Sequence, residues 1–296
     1  MENNTVIRDG QARFAKAREL LLLAVIPAII ILFGLALRNA RGPYFLASNM
    51  DPDYAYLVNS LDMATVGMVF HLDHPGTPVQ ALGAAVLKLA HPFLNEGELA
   101  KAVLSEPELY LRLLGSVFLC FSAAGCFVSG FLLLKSFGEL WLAISAQLLP
   151  LAFAVNWGLG RVMPEPFLVA AAAVMCALLA RGAESGRYSC AALGLTAGFG
   201  LACKLNFLPL FICPLFVLGP MGIARYAAYA LVAWGVCTVP IVEHYHVLWA
   251  WALRLVFHGG PYGLEKTPFP PDFFSNVAGI LSGTSWLWLL LAAWLV

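Results

Sequence analysis

Two aspartates, Asp51 and Asp53, follow the first long apolar run of the chain, in the sequence DPDYAYLVNSL. A pair of carboxylates beside an apolar segment can supply a general base that removes a proton from a hydroxyl group. The same pair suits a divalent cation such as Mg²⁺ or Mn²⁺, because these ions prefer oxygen ligands. The plain alternative is capping, since acids are favoured at a helix N-terminus. We expect at least one of the two aspartates to serve a site, and both roles stay open.

The next segment carries His71 and His74, and His74 begins the turn His-Pro-Gly-Thr-Pro. Two prolines and a glycine restrict the backbone there and would fix the direction of the His74 side chain. A loop histidine is commonly a surface hydrogen-bonding residue, and that alternative is kept. We predict that His74 contacts a substrate, with His71 and Tyr54 as further candidates.

A second polar turn, NWGLGRVMPEP, holds Arg161 and Glu165 between two apolar runs. The prolines on both sides of Glu165 indicate a helix start. Because they are four residues apart, Arg161 and Glu165 could form an ion pair along one helical turn. In the functional interpretation, Glu165 instead faces the two aspartates across a cavity, while Arg161 binds a phosphate.

Lys204 lies at the turn between two short apolar runs, residues 189–203 and 205–218. A lysine in such a turn can keep its stem in lipid and extend its charge to the membrane surface. We favour a contact with a phosphate or diphosphate. The candidate catalytic residues are therefore Asp51, Asp53 and Glu165, and the candidate substrate contacts are Tyr54, His71, His74, Arg161 and Lys204.

Composition indicates which elements would position these residues. The chain is 61% hydrophobic and 11% charged, with a mean hydropathy of +0.81. Soluble domains are about one quarter charged, so this chain cannot cover a water-facing surface and is predicted to be a multi-pass membrane protein. A net charge of zero gives no basis for binding nucleic acid. The seven cysteines lie in apolar runs without metal-ligand spacing, and no disulfide framework is predicted.

Hydropathy predicts an all-α fold with about eight apolar transmembrane segments: residues 20–37, 113–134, 140–155, 166–180, 189–203, 205–218, 226–242 and a last run from 284. Residues 1–19 hold several bases and would lie in the cytoplasm. Residues 20–296 would form one transmembrane domain, with outer loops at 38–112 and 243–283. This orientation places all the candidate site residues on the outer face. The spacing of Gly194 and Gly198 predicts close helix packing.

The first outer loop is predicted to contain interfacial helices rather than spans. Apolar residues recur at helical spacing after Asp53, with Asn59, Ser60 and Asp62 on the opposite face, as in an amphipathic surface helix. Residues 79–94 predict a second such helix, and residues 95–108 a charged connector.

Taken in order, these segments resemble a known superfamily. Five short motifs carry the resemblance, which covers roughly residues 18–220. They are the acid pair and aromatic helix of DPDYAYLVNSL, the turn HPGTPVQ, the helix start LRLL, the turn RVMPEP and the glycine-rich GLTAGFGLACKLNF. They are similar to the GT-C-fold glycosyltransferases that use polyprenyl-phosphate sugars, which include protein O-mannosyltransferases and aminoarabinose transferases. The turn departs from the Lys-Pro-Pro or His-Pro-Pro of the better-known branches. The family also has more spans and often a soluble outer domain, so we expect a further C-terminal part.

The resemblance implies an inverting membrane glycosyltransferase of a bacterial cytoplasmic (inner) membrane. It would move a sugar from a polyprenyl-phosphate donor to a lipid, glycan or protein acceptor of the cell envelope, on the extracytoplasmic side. Asp51 or Asp53 would deprotonate or orient the acceptor, and Arg161 and Lys204 would hold the leaving phosphate. The alternatives are a lipid-linked-sugar transporter or flippase, and a non-catalytic membrane subunit. A transporter should carry ionisable residues near the bilayer midplane and internal repeats, which the sequence does not indicate.

Overall fold

The computed structural model describes residues 16–46, 53–70, 72, 76–256 and 273–283. Every regular element in these ranges is helical, and no strand occurs among them. Four helices within the described ranges are long and apolar enough to cross a membrane: Lys16–Arg41, Pro107–Phe137, Glu165–Ser185 and Pro220–Arg254. The predicted helical membrane class is confirmed at this level, and the full set of eight spans stays a prediction.

The helices follow the chain in a simple order. The main ones are α1 (Lys16–Arg41), α2 (Asp53–Thr65), α3 (Thr77–Ala90), α4 (Glu96–Ser105), α5 (Pro107–Phe137), α6 (Leu140–Trp157), α7 (Glu165–Ser185), α8 (Cys190–Cys203), α9 (Leu208–Ile212), α10 (Pro220–Thr238), α11 (Tyr245–Val256) and α12 (Phe273–Gly283). Short 3₁₀ turns cover Tyr44–Leu46, Leu205–Phe207, Cys213–Phe216 and Val239–His244. Contacts divide the chain into two compact units after Tyr245, and the candidate site lies in the first.

The long helix α5 is the element against which the others in the first unit are arranged. It begins at Pro107, a residue suited to the first helical turn, and packs against α1, α6 and α7. Phe118 of α5 meets Phe167 of α7 edge to face and Phe121 of α5 stacks on the same ring, with ring centroids 4.9 and 4.5 Å apart. This aromatic contact fixes the start of α7 beside the first half of α5.

Helices α8 and α10 pack at very close range, as the glycine spacing predicts. A Cβ atom at Gly194 would lie 2.5 Å from the Tyr226 carbonyl oxygen, and one at Gly198 would lie 2.2 Å from that of Ala230. A larger side chain at either position would therefore separate the two backbones. At 14 residues α8 is shorter than the roughly 20 residues needed to cross a bilayer, in line with the two runs 189–203 and 205–218 being short for full spans.

Helix α2 begins at Asp53 as predicted, but its buried face differs from the prediction. Asn59 and Ser60 were expected to face away from the apolar surface and are buried, whereas Val58 is exposed. The Asn59 amide donates to the Ala55 carbonyl at 2.7 Å and accepts from the Phe70 N–H at 2.9 Å, and the Ser60 hydroxyl donates within its own helix. Because backbone groups satisfy these polar side chains, they can be buried at little cost.

The charged connector predicted for residues 95–108 contains a helix that the prediction did not include, α4 over Glu96–Ser105. Asn95 and Glu98 make a reciprocal capping box, in which the Asn95 side chain accepts from the Glu98 N–H at 2.9 Å and Glu98 accepts from the Asn95 N–H at 3.1 Å. Leu99 and Val103, one helical turn apart, are buried against the core. The cap and this apolar pair together favour a helix within the charged segment.

Candidate functional site

Four of the predicted site residues meet at one end of the helices in the first unit. Asp53 begins α2, Arg161 lies in the turn 158–164, Glu165 begins α7 and Lys204 follows α8. Two ion pairs join them, Arg161 with Asp53 and Lys204 with Glu165. The alternative ion pair between Arg161 and Glu165 is therefore not the one that forms, because each side chain has a partner from a distant segment.

Asp53 is buried, with 1% of its side chain exposed, and both carboxylate oxygens accept hydrogen bonds. Oδ2 accepts from Arg161 Nη2 at 2.6 Å and from Nε at 3.1 Å, and Oδ1 accepts from the Val162 N–H at 2.6 Å. These contacts cross from α2 to the turn 158–164, rather than to the N–H groups of its own helix. The arrangement suits a carboxylate that orients Arg161 and neutralises its charge.

Glu165 and Lys204 form a second enclosed pair, with Nζ and Oε1 2.7 Å apart. Lys204 is only 7% exposed, so it does not extend to the membrane surface as the plain alternative supposes. The other carboxylate oxygen, Oε2, is buried and accepts no hydrogen bond among the described residues. Glu165 thus combines one oxygen held by a cation with a buried second oxygen whose capacity to accept a hydrogen bond is not used among the described residues.

The turn that carries Arg161 is fixed by close backbone contacts. Gly160 has φ +78°, and a Cβ at this position would lie only 2.8 Å from the Gly34 carbonyl oxygen of α1. The Tyr44 hydroxyl donates to the Gly160 carbonyl at 2.7 Å, and a Cβ at Gly115 of α5 would lie 2.9 Å from that same oxygen. Glycines are required at these positions because the turn is held between α1 and α5.

Glu108, in the first turn of α5, organises the neighbouring loop and was not predicted as a site residue. Its carboxylate accepts from the N–H groups of Tyr44 and Phe45 at 3.1 and 3.3 Å. It also accepts from the Tyr54 hydroxyl at 2.6 Å, so Tyr54, a predicted substrate contact, is engaged with the protein. Burial and this hydrogen bond raise the pKa of Tyr54 to about 12. The sequence signal for Glu108 was an acid near a helix start. Its hydrogen-bond partners cannot be predicted from the spacing of residues in the sequence.

Three arginines line a cavity of about 330 Å³ beside the Asp53–Arg161 pair. Arg38 and Arg41 come from the last turns of α1, and Arg161 comes from the turn 158–164. Tyr44 forms part of the wall, and burial raises its pKa to about 12 although the Arg38 guanidinium acts in the opposite direction. From the sequence, Arg38 marks only the start of the first outer loop. Its proximity to Arg161 was not predicted, because no local sequence pattern places the two residues together.

The remaining predicted site residues, Asp51, His71 and His74, lie outside the described residues. Within the described ranges, no group of three or more His, Cys, Asp or Glu side chains could hold a metal ion. The divalent cation suggested by the acid pair therefore stays a prediction that depends on Asp51.

Three comparisons with known proteins found no relative of this chain. A scan against protein-family models found no match, and searches of curated proteins and of solved structures found none either. The function is therefore inferred from the residues and their contacts.

Proposed function

We propose that this protein is a GT-C-like membrane glycosyltransferase that moves a sugar from a polyprenyl-phosphate donor to a lipid, glycan or protein hydroxyl. The observation that carries the proposal is the meeting of Asp53, Arg161, Glu165 and Lys204 in two ion pairs at one end of an apolar helical scaffold. Ionisable side chains are costly in such surroundings, and their concentration at one place favours a functional site.

In the proposed reaction, the acceptor oxygen bonds to the anomeric carbon of the sugar while the bond from that carbon to the phosphate oxygen breaks. The phosphate leaves with the bonding electrons, and the acceptor proton moves to a carboxylate. Glu165 Oε2 is the described oxygen best placed for that proton, because it accepts no other hydrogen bond among the described residues. Asp51 remains the second candidate base.

The Glu165–Lys204 pair couples proton transfer to charge neutralisation. When Glu165 takes up the acceptor proton, its attraction for the Lys204 ammonium falls, and the ammonium can then be shared with the leaving phosphate. Arg161, oriented by Asp53, supplies a second positive charge. Placing fixed charges where negative charge develops lowers the barrier without reorganisation of solvent.

The finer topology belongs to the same proposal. It comprises about eight spans, a cytoplasmic N-terminus and an extracytoplasmic site in a bacterial inner membrane. Basic residues at the span ends assigned to the cytoplasm support it, among them Lys135, Arg181, Arg187 and Arg225. The ion pairs lie at helix ends, whereas a transporter would place such groups near the membrane centre. We therefore favour transfer over transport.

A donor screen tests the proposal. Purified full-length protein in lipid nanodiscs is incubated with a set of polyprenyl-phosphate sugars and candidate acceptors, and release of polyprenyl phosphate is followed by mass spectrometry. We expect acceptor-dependent release for at least one sugar, and a loss of about 100-fold or more in Lys204→Gln. The exposed Lys135 provides the control Lys135→Gln, which should retain full activity. Equal rates in the two variants would contradict the assigned role of Lys204.

A further inference from the structure

We propose that Glu108 is a positioning residue for the Asp53–Arg161 pair, acting from α5 on both of the segments that carry it. Asp53 begins α2 and Arg161 lies in the turn 158–164, so the two are 108 positions apart in the sequence. Glu108 contacts α2 directly and reaches the turn 158–164 through Tyr44. Its effect on sugar transfer rests on the proposed function, whereas its effect on the geometry of the pair does not.

The first contact of Glu108 holds the start of α2. Its Oε1 accepts from the Tyr54 hydroxyl at 2.6 Å, and Tyr54 directly follows Asp53 in the sequence. A hydrogen bond to a carboxylate is about twice as strong as one between neutral groups. The contact therefore fixes the first turn of α2 against α5, and with it the backbone of Asp53.

The second contact of Glu108 reaches the turn 158–164 through the short 3₁₀ turn that follows α1. The carboxylate accepts from two successive N–H groups there, that of Tyr44 at 3.1 Å and the next one at 3.3 Å. The Tyr44 hydroxyl in turn donates to the Gly160 carbonyl at 2.7 Å, and Gly160 directly precedes Arg161. Glu108 thus anchors the backbone of the residue whose side chain holds the turn.

Helix α5 also contacts the hydroxyl end of Tyr44. Gly115 follows Glu108 by seven residues, about two helical turns along the same face of α5. A Cβ at Gly115 would lie 2.6 Å from the Tyr44 hydroxyl oxygen and 2.9 Å from the Gly160 carbonyl oxygen. The donor and the acceptor of this hydrogen bond therefore both rest against α5. One face of α5 holds Tyr44 at its backbone and at its hydroxyl group.

Helix capping is the plain alternative role for Glu108, since an acid is favoured in the first turn of a helix. The hydrogen bonds of its carboxylate within the described residues go to Tyr44, Phe45 and Tyr54, and none goes to an N–H group of α5. Glu106, just before α5, is an exposed acid that makes no side-chain capping hydrogen bond. It provides a control with the same charge near the same helix start.

Hydrogen–deuterium exchange of the full-length protein in nanodiscs tests the positioning role without a sugar donor. Glu108→Gln replaces two charged acceptor oxygens with one neutral oxygen, which weakens both contacts. Tyr44→Phe removes only the hydroxyl that donates to Gly160. We expect amides of residues 158–164 to exchange about tenfold faster or more in each variant. Exchange there should not change in Glu106→Gln, and exchange in α8 should not change in any variant.

The double variant separates an effect through Tyr44 from an independent one. Because Glu108 acts on the turn through Tyr44, Glu108→Gln should add little to the exchange of residues 158–164 in Tyr44→Phe. With a donor that the wild type accepts, Glu108→Gln should lower kcat by about tenfold or more and leave the KM for the acceptor nearly unchanged, since Arg161 is assigned to the leaving phosphate.

Three results would overturn the positioning role. The first is equal exchange of residues 158–164 in Glu108→Gln and Glu106→Gln. The second is equally faster exchange in α8, which would show a general loss of structure. The third is an unchanged kcat in Glu108→Gln despite faster exchange of the turn. Faster exchange confined to the turn, in a protein that accepts no sugar donor, would support the positioning role and contradict only the proposed function.

Discussion

At the scale of single residues, the contact between Asp53 and Arg161 makes the clearest energetic prediction. Asp53→Asn should lower the free energy of unfolding by about 2–3 kcal/mol, because it removes a buried carboxylate charge that accepts from the Arg161 guanidinium and the Val162 N–H. Arg161→Gln combined with Asp53→Asn should recover part of that loss, which a double-mutant cycle would show as a coupling of about 1–3 kcal/mol. Thermal unfolding in detergent measures both quantities.

Asp62, on the same helix, supplies the control for that experiment. Burial raises the pKa of its carboxyl group, so its charged form is disfavoured in the folded protein and Asp62→Asn should not destabilise it near neutral pH. Equal destabilisation by the changes at Asp53 and Asp62 would show that the ion pair with Arg161 is not what stabilises this region.

Tyr54 and Tyr44 predict how stability changes at alkaline pH. Their pKa values are raised from 10 to about 12 in the folded protein, so the stability they contribute is complete below pH 10 and is lost as the pH rises to about 12. Tyr54→Phe should make the unfolding temperature less dependent on pH in that window. An unchanged slope in Tyr54→Phe would mean that its hydrogen bond to Glu108 does not favour the neutral hydroxyl.

At the scale of elements, the turn 158–164 depends on a glycine held between two helices. Gly160 and Gly138 have similar backbone angles, φ +78° and +72°. A Cβ at Gly160 would meet α1, whereas nothing lies within 4 Å of a Cβ at Gly138. Gly138→Ala should therefore cost only the backbone term of about 1–2 kcal/mol.

Gly160→Ala should cost at least about 1–2 kcal/mol more than Gly138→Ala, because the turn must move away from α1. The same movement would displace Arg161 from its ion pair with Asp53. Equal unfolding temperatures for the two alanine variants would show that the approach of the turn to α1 does not contribute to stability.

The helix starts could be predicted from the sequence, but their partners could not. Asp53 and Glu165 mark the beginnings of α2 and α7 through local signals, acids and prolines, that require no knowledge of the fold. The pairing of Arg161 with Asp53 and of Glu165 with Lys204 depends on how distant helices pack, and a local i,i+4 pair was an equally good expectation. The charged residues at 95–108 did not indicate helix α4, which the capping box of Asn95 and Glu98 and an apolar pair stabilise.

At the scale of the whole molecule, composition was sufficient to predict a helical membrane protein, while the number of spans requires more than hydropathy. Short apolar helices such as α3 and α8 have the composition of a span without its length. The shared location of the four charged residues was predicted from alternating spans and the distribution of basic residues, and the contacts at one end of α1, α5 and α7 agree with it. The arginine cavity was not foreseen, because it requires α1 and the turn 158–164 to meet.

The proposed orientation predicts which exposed residues can be reached from outside the cell. Glu98 of α4 and Glu184 near the end of α7 are both exposed, and the proposal places them on opposite sides of the membrane. A membrane-impermeant maleimide applied to intact cells should label Glu98→Cys and should not label Glu184→Cys, with wild type measuring the background from native cysteines. Labelling of Glu184→Cys alone would reverse the proposed orientation.

The most direct test of the proposed function compares two carboxylates of α7 in a single assay. With a donor that the wild type accepts, sugar transfer is measured in nanodiscs for Glu165→Gln, at the ion pair with Lys204, and for Glu184→Gln, an exposed position on the same helix. We predict a fall in rate of about 100-fold or more for Glu165→Gln, the range expected on loss of a general base, and no change for Glu184→Gln. Full transfer activity in a correctly inserted Glu165→Gln protein would contradict the assignment of this site.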